Sequence, residues 1–134
     1  MPIAIEWINQ ERSVIRLEFP QAWTWDELNQ AKQQVDAMLD QVDHDCALLF
    51  IPSPNPKIPH NLLSNALRVL SKRHARARLF VFITPNALMR TMAEIIGKIS
   101  ADVRERTRMV ETSEQAYTAL IEAGYLSAQD RAGK

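Results

Sequence analysis

Lys57 and His60 are the residues of this chain whose types and positions most invite chemistry, because they lie in a stretch without any carboxylate. A protonated imidazole beside a lysine ammonium can bind an anion, and a neutral imidazole can act as a general base. The second role needs an acid or an oxyanion site nearby, and the sequence offers neither. We therefore expect no catalytic residue and interpret the pair as binding residues for an acidic group.

The remaining histidines and the single cysteine do not form a reactive set. His44 and His74 lack the spacing of metal ligands, and Cys46 opens an apolar run, which is typical of a buried and inert thiol. With three glycines in 134 residues, the chain has no phosphate-binding or dinucleotide-binding loop. These patterns predict no metal and no cofactor.

Charge is segregated along the chain although the formal net charge is +0. Residues 46–93 contain seven Lys and Arg and no Asp or Glu, whereas residues 1–45 contain nine acids and three cations. This distribution gives the middle of the chain a cationic surface that suits an acidic partner. The acidic first part and the basic run at residues 72–78 could complement each other within the fold or between two copies in a homodimer.

Two classes of partner are disfavoured. The basic run at residues 72–78 spans a helix end, where cations are favourable, and a pI of about 6.8 gives little attraction to nucleic acid. No apolar run is long enough to span a bilayer, and the first residues lack a secretory signal. With one unpaired cysteine, we expect a cytoplasmic protein without membrane insertion.

Hydrophobic periodicity predicts strands and helices in alternation. Thr24 and Glu27 form a capping box, Thr84-Pro85 and Thr112 are further helix starts, and Gly124 is a helix stop. The predicted strands are residues 3–8, 13–19, 46–51, 79–83 and 108–111, with a second helix beginning at His60 or Asn61 and a third helix whose core stripe is Leu88, Met92, Ile95, Ile96 and Ile99.

This order predicts one α/β domain over residues 1–126 and a disordered tail at residues 127–134. The sheet has about five strands and is mainly parallel, with an antiparallel N-terminal edge strand, and four helices accompany it. The three tryptophans, Trp7, Trp23 and Trp25, either pack in the core or form an exposed aromatic patch for a partner.

The order of elements resembles the STAS domain family, the fold of bacterial anti-sigma-factor antagonists. The resemblance is carried by the hairpin ending at residues 15–19, the aromatic entry Trp23-Thr24-Trp25, the buried strand at residues 47–51 and the closing strand and helix from Val110 to Ala116. It implies a non-catalytic regulatory module that binds other proteins. Family members that act in partner switching carry a phosphorylated hydroxyl in an Asp-Ser-Ser/Thr-Gly turn, whereas residues 57–61 have no Asp, Gly or hydroxyl.

Ligands of open α/β sheets bind beyond the carboxyl ends of the strands, where the predicted loops are residues 52–61, 84–86 and 112–115. The first two fall in the carboxylate-free stretch, so the site is predicted there. Pro59 and Asn61 are expected to set the helix start, and Leu62 and Leu63 to add apolar contact. The full predicted site is Lys57, Pro59, His60, Asn61, Leu62, Leu63, Asn86 and Arg90. Its occupant is predicted to be an acidic protein partner, with a small anionic metabolite or lipid at residues 52–61 as the alternative.

Overall fold

The computed structural model describes residues 3–53, 57, 60, 61, 64, 65, 68, 69, 72, 74–84 and 87–129, without the side chains of residues 88, 89, 92 and 93. In these residues the elements with defined bounds are β1 (Ala4–Trp7), β2 (Val14–Glu18), α1 (Trp25–Asp40), β3 (Cys46–Ile51), β4 (Ala77–Ile83), α2 (Ala87–Ile99), α3 (Ala101–Arg106), β5 (Thr107–Val110) and α4 (Ser113–Glu122). Ser64, Asn65, Arg68 and Val69 are also helical, between β3 and β4.

One five-stranded sheet is the centre of the fold, and its strand order follows the chain, β1-β2-β3-β4-β5. β1 and β2 form an antiparallel hairpin, and each later strand is parallel to the one before it. Period-two alternation in the hairpin and continuous apolar runs in β3 and β4 account for these strands. The predicted α/β fold with a mainly parallel sheet and an antiparallel edge strand is confirmed.

One face of the sheet is covered by α1. The Thr24 hydroxyl accepts the Glu27 N–H, and the Glu27 carboxylate accepts the Thr24 N–H, so the predicted capping box is confirmed. Ala31, Val35 and Leu39 follow at helical spacing and pack with buried side chains of β2, β3 and β4. Trp7 is partly buried against this cluster, so it belongs to the core packing.

The opposite face is covered by α4, which follows the last strand. Ala116 and Leu120 pack there against Val14, Leu49 and Val81. Gly124 has φ +89°, and the N–H of Tyr125 donates to the Leu120 carbonyl at 2.9 Å, which is a Schellman ending. The predicted stop at this glycine is confirmed. Residues 128 and 129 are helical, and residues 130–134 of the predicted tail lie outside the described residues.

The core stripe predicted for the third helix is wrong at two positions. Ile95 is 38% exposed and Ile99 is 62% exposed, whereas Ile96 is buried. The helix ends at Ile99, and Ser100 caps α3 by accepting the Val103 N–H, so Ile96 and Val103 become the buried side chains. Leu88 and Met92 lie among the side chains that the structure does not describe.

Acidic and basic segments meet at the end of the sheet opposite the predicted site. Asp40, at the end of α1, accepts a hydrogen bond of 2.7 Å from His74 Nε2, and Asp45 lies 3.8 Å from Arg78. The Arg76 N–H donates to His74 Nδ1, so the proton of the neutral imidazole lies on Nε2, facing Asp40. The charge complementarity of the sequence therefore operates, for these groups, within one copy of the fold.

The buried thiol of Cys46 is expected to lower the free energy of unfolding as the pH becomes alkaline. The pKa of this thiol is raised from 9.0 to about 11, chiefly by burial and also by the Asp45 carboxylate, while Arg76 acts in the opposite direction. An unfolded thiol ionises from pH 9 upward while the folded thiol stays protonated, so stability is full below pH 9 and is lost as pH rises toward 11. We expect a loss of about 2 kcal/mol between these limits, measured by urea unfolding at successive pH values.

The matched control for this prediction is Cys46→Ala, whose stability should depend less steeply on pH over the same range. Burial also raises the pKa of Tyr125, so part of the slope above pH 10 should remain in the variant. Equal slopes in the two proteins would show that the thiol is not the titrating group.

Candidate functional site

The carboxyl ends of the four parallel strands lie at one edge of the sheet. Backbone hydrogen bonds continue past the strand ends there, from the Phe19 N–H to the Ile51 carbonyl at 2.9 Å and from the Thr84 N–H to the Val110 carbonyl at 2.8 Å. The Thr84 hydroxyl also donates to the Val110 carbonyl, at 3.2 Å. Hydrogen bonds therefore hold the carboxyl ends of neighbouring strands together at this edge, next to the segments in which the site was predicted.

Aromatic rings form a continuous series from the core to this edge. Phe50 and Phe82 are neighbours on β3 and β4, and their rings stack at 4.3 Å with an interplanar angle of 7°. Phe50 also contacts buried Phe80 and half-buried Phe19. The aromatic cluster consists of these rings and two tryptophans, namely Phe19, Trp23, Trp25, Phe50, Phe80 and Phe82.

The two tryptophans form the outer end of the aromatic cluster. Trp23 packs edge-on against Phe19 at 5.3 Å and against Trp25 at 5.1 Å, and both indoles are partly exposed. The sequence left open whether they pack in the core or present a patch. In the structure Trp23 packs on half-buried Phe19 and Trp25 packs on Trp23, and both indoles keep part of their surface in solvent, so they lie at the margin of the core.

Lys57 and His60 are attached to the same segment. The Lys57 N–H donates to the Gln21 carbonyl at 2.8 Å, and the Trp25 indole N–H donates to the His60 carbonyl at 2.7 Å. Both side chains are exposed, and neither makes a hydrogen bond or ion pair with the part of the chain that the structure describes. Hydrogen bonds thus hold the backbone of Lys57 and of His60, while both side chains can contact a ligand or partner.

Asn61 forms the turn into the helical residues that follow. Its φ is +56°, a left-handed conformation that asparagine adopts more readily than most residues. Its carbonyl accepts the Asn65 N–H at 3.1 Å and the Asn65 side-chain amide at 3.0 Å. The Asn65 N–H bond spans four residues, as in an α-helix, and agrees with the helix start predicted at His60 or Asn61.

Arg90 lies apart from this group. Its guanidinium donates to Glu111 Oε1 at 2.8 Å, just beyond the end of β5, and the Glu111 N–H donates to the Gln115 side chain. β2 and β5 are separated by two strands, about 14 Å at the usual strand spacing. The structure therefore brings together Lys57, His60 and Asn61 with the tryptophans, and it gives Arg90 an acidic partner elsewhere. Pro59, Leu62, Leu63 and Asn86 lie outside the described residues.

Sequence reasoning missed the contribution of the phenylalanines. Phe50 and Phe82 are the penultimate residues of β3 and β4, so parallel pairing in register brings them side by side at the carboxyl edge. A search for aromatic residues at the same distance from successive strand ends would have found the pair. It is the register, and not either residue alone, that creates the cluster.

Other features of the described residues do not add chemistry at this edge. No cluster of three or more His, Cys, Asp or Glu side chains that could hold a metal occurs within those ranges. A shallow surface depression lies along α4, lined by Thr112, Glu114, Gln115, Thr118, Ala119 and Glu122. None of the predicted site residues with a described side chain, namely Lys57, His60, Asn61 and Arg90, lines it.

Replacing Trp25 by phenylalanine tests how the His60 carbonyl is held. The variant keeps a ring but loses the indole N–H donor, and we expect a loss of about 1 kcal/mol in the free energy of unfolding. The Asn65 N–H should exchange faster with solvent, because its acceptor, the Asn61 carbonyl, follows the released residue directly.

Trp23→Phe is the matched control, since Trp23 has ring contacts but no hydrogen bond among the described residues. It should leave the exchange of Asn65 unchanged. Hydrogen exchange followed by NMR measures both variants, and equal acceleration in the two would contradict the role given to the indole N–H.

Comparison with known proteins gives no match from which a function could be inferred. No family model, no curated protein and no solved structure matches this chain. As to membranes, none of the helices in the ranges covered by the structure has the length and apolar character needed to cross a bilayer.

Proposed function

We propose that this chain is a non-catalytic regulatory module of STAS type that binds a protein partner. One observation carries the proposal. Exposed Lys57 and His60 are hydrogen-bonded to the segment that bears the partly exposed indoles of Trp23 and Trp25. Protein interfaces commonly combine ordered aromatic anchors with polar groups at the rim. The partner presents an acidic group to the cations and an apolar side chain to the indoles.

The hydrogen bonds and ring contacts that fix this surface favour a protein partner. The Lys57 N–H donates to the Gln21 carbonyl and the His60 carbonyl accepts the Trp25 indole N–H, so binding at these two residues would chiefly immobilise their side chains. The indoles already pack on one another and on Phe19, so their orientation is fixed before a partner arrives. Such preorganisation increases the share of contact energy that appears as affinity.

The STAS assignment is supported by the arrangement of the elements. An antiparallel hairpin followed by strand and helix units on a parallel sheet is what the resemblance implied, and the chain has this order. In the proposed STAS arrangement, residues 57–61 correspond by sequence order to the turn in which the family carries its phosphorylated hydroxyl, and they contain no hydroxyl side chain. Binding by this module is therefore independent of phosphorylation at that turn, and we assign it to the bacterial cytoplasm, where its single buried cysteine stays a thiol.

The alternative function is the binding of a small anionic metabolite or lipid at residues 52–61. It is favoured by the absence of carboxylates from residues 46–93, since the segment that contains Lys57 and His60 carries no acid of its own to compete with an anion. A thermal shift with candidate anions that disappears in high salt would support it. A protein partner of the aromatic surface would instead leave a salt-resistant component.

The experiment is a pull-down from native lysate with the tagged protein, read by quantitative mass spectrometry. The test variant is Lys57→Glu/His60→Glu, and the control is Lys98→Glu/Thr91→Glu, which makes the same change of charge at exposed positions of α2. We expect a protein that the wild type and the control retain and the test variant loses. Retention by all three, or no specific protein in any, would refute the assignment.

A further inference from the structure

β5 is the last strand of the sheet, and among the described residues its outer edge meets no further strand. The Val110 carbonyl accepts the Thr84 N–H, so the polar backbone groups of Val110 point toward β4. Backbone groups of successive residues point to opposite sides of a strand. Those of Arg108 therefore also face β4, whereas those of Thr107 and Met109 face away from the sheet.

The outward-facing backbone groups near both ends of β5 already have partners. The Thr107 N–H donates to a carbonyl of α3, and the Thr107 carbonyl accepts a hydrogen bond of 3.1 Å from the Arg108 guanidinium. Beyond the other end, the Glu111 N–H donates to the Gln115 side chain at 2.8 Å. Between these positions, no described residue bonds the N–H or the carbonyl of Met109. Met109 is therefore the position at which β5 can pair with another strand.

The charges around β5 favour a second copy of this chain in antiparallel orientation. Arg108 lies in the first half of the strand, and its guanidinium donates to the carbonyls of Glu105 and Thr107 and to no carboxylate in the described part of the chain. Glu111 follows the strand, and Glu114 lies in the first turn of α4. Antiparallel pairing brings the basic beginning of one copy to the acidic end of the other, whereas parallel pairing would place two Arg108 side chains together.

We propose that two copies of this chain pair through β5 in antiparallel orientation, with the two-fold axis at Met109. The N–H of each Met109 donates to the carbonyl of the other, and the two side chains, each 38% exposed in the single chain, lie against one another. Arg108 of each copy lies opposite Val110 of the other, beside the acidic start of α4. β1, at the opposite edge of the sheet, contains Glu6 and no cation, so its self-pairing has no such complementarity.

This dimer goes beyond the proposed function and leaves the proposed surface accessible. The segment that bears Trp23 and Trp25 follows β2, which is separated from β5 by two strands. The dimer therefore carries two copies of that surface on one continuous sheet, and a partner with two binding segments would gain avidity from it. Because the paired strands are short, the association is weak and depends on concentration.

Disulfide formation between introduced cysteines tests the position of the axis, in a Cys46→Ala background that removes the native thiol. Hydrogen-bonded antiparallel residues have Cα atoms about 5.5 Å apart, which is within the range of a disulfide. Met109→Cys should therefore form a covalent dimer under mild oxidation. Glu105→Cys is the matched control, because position 105 is also exposed but its two copies lie far from the axis on opposite sides. We expect dimer formation on the order of tenfold faster, or more, for Met109→Cys.

Analytical ultracentrifugation measures the association without introduced cysteines. We expect the wild type to pass from monomer to dimer between micromolar and millimolar concentrations. Met109→Lys should weaken dimerisation on the order of tenfold or more, because two ammonium groups would face each other across the axis. The control Thr91→Lys adds the same charge at an exposed position of α2 and should dimerise as the wild type does.

Three results would overturn the proposal. The first is a wild type that stays monomeric at every concentration, including one whose Met109 amide is protected from exchange only in complex with a different protein. The second is a dimer that Met109→Lys leaves intact, and the third is equally fast cross-linking through positions 105 and 109. These measurements are independent of the pull-down with Lys57→Glu/His60→Glu, so the dimer and the proposed function can fail separately.

Discussion

Truncation of Phe80 to alanine is expected to lower the free energy of unfolding by about 4 kcal/mol. Phe80 is 2% exposed, lies on β4 between Leu48 of β3 and Thr107 of β5, and belongs to the core cluster beneath α1. Its ring also contacts Phe50, the central member of the aromatic cluster. The loss combines the transfer of a large apolar side chain with the cavity that the surrounding side chains cannot fill.

Urea unfolding followed by circular dichroism measures this loss, and two variants of β4 calibrate it. Phe80→Leu keeps most of the volume and should cost about 1 kcal/mol. Arg78→Ala removes an exposed side chain whose contact with Asp45 is 3.8 Å, and it should stay within about 0.5 kcal/mol of the wild type. A cost below about 2 kcal/mol for Phe80→Ala would mean that the core collapses into the vacated space.

Leu120→Ala is expected to cost about 3 kcal/mol and to loosen α4 from the sheet. Leu120 is 0% exposed and packs against β2, β3 and β4, on the face that α1 does not cover. Its carbonyl also receives the Tyr125 N–H that ends the helix. Amide exchange in α4 should rise more than exchange in β3, because the helix is held to the sheet by few buried side chains.

Glu122→Ala is the control for this prediction, since Glu122 is an exposed residue of the same helix and alanine is a good helix former. Its stability should remain within about 0.5 kcal/mol of the wild type. If both variants lost similar stability, the effect would reflect helix propensity and not the contact of Leu120 with the sheet.

Local signals in the sequence were sufficient for most of the fold. The capping box at Thr24 and the stop at Gly124 depend on neighbours within five residues, so their physics is visible in a short window. The continuous apolar run of β3 was predicted with the bounds that the structure has, Cys46–Ile51. Alternation of such segments was enough to predict the mainly parallel sheet.

Features that depend on tertiary contacts were not predictable in the same way. α3 has six residues and only Val103 buried, so it gives no periodic signal in the sequence. The exposure of Ile95 and Ile99 in the helix before it was not predicted. Arg90 pairs with Glu111 because β4 and β5 are adjacent, and no local pattern brings these two residues together. The aromatic cluster likewise requires the register between strands, which the sequence does not state.

The agreement between strand order and chain order has a consequence for folding. Each of β3, β4 and β5 pairs with the strand made just before it, so each pairing closes only the crossover between two successive strands. The exception is the far end of the chain, where the Ser13 hydroxyl donates to the Tyr125 carbonyl across 112 residues. The sheet can therefore assemble strand by strand during synthesis on the ribosome. The contacts of α4 and the following residues with its second face are complete only after residue 125 has emerged.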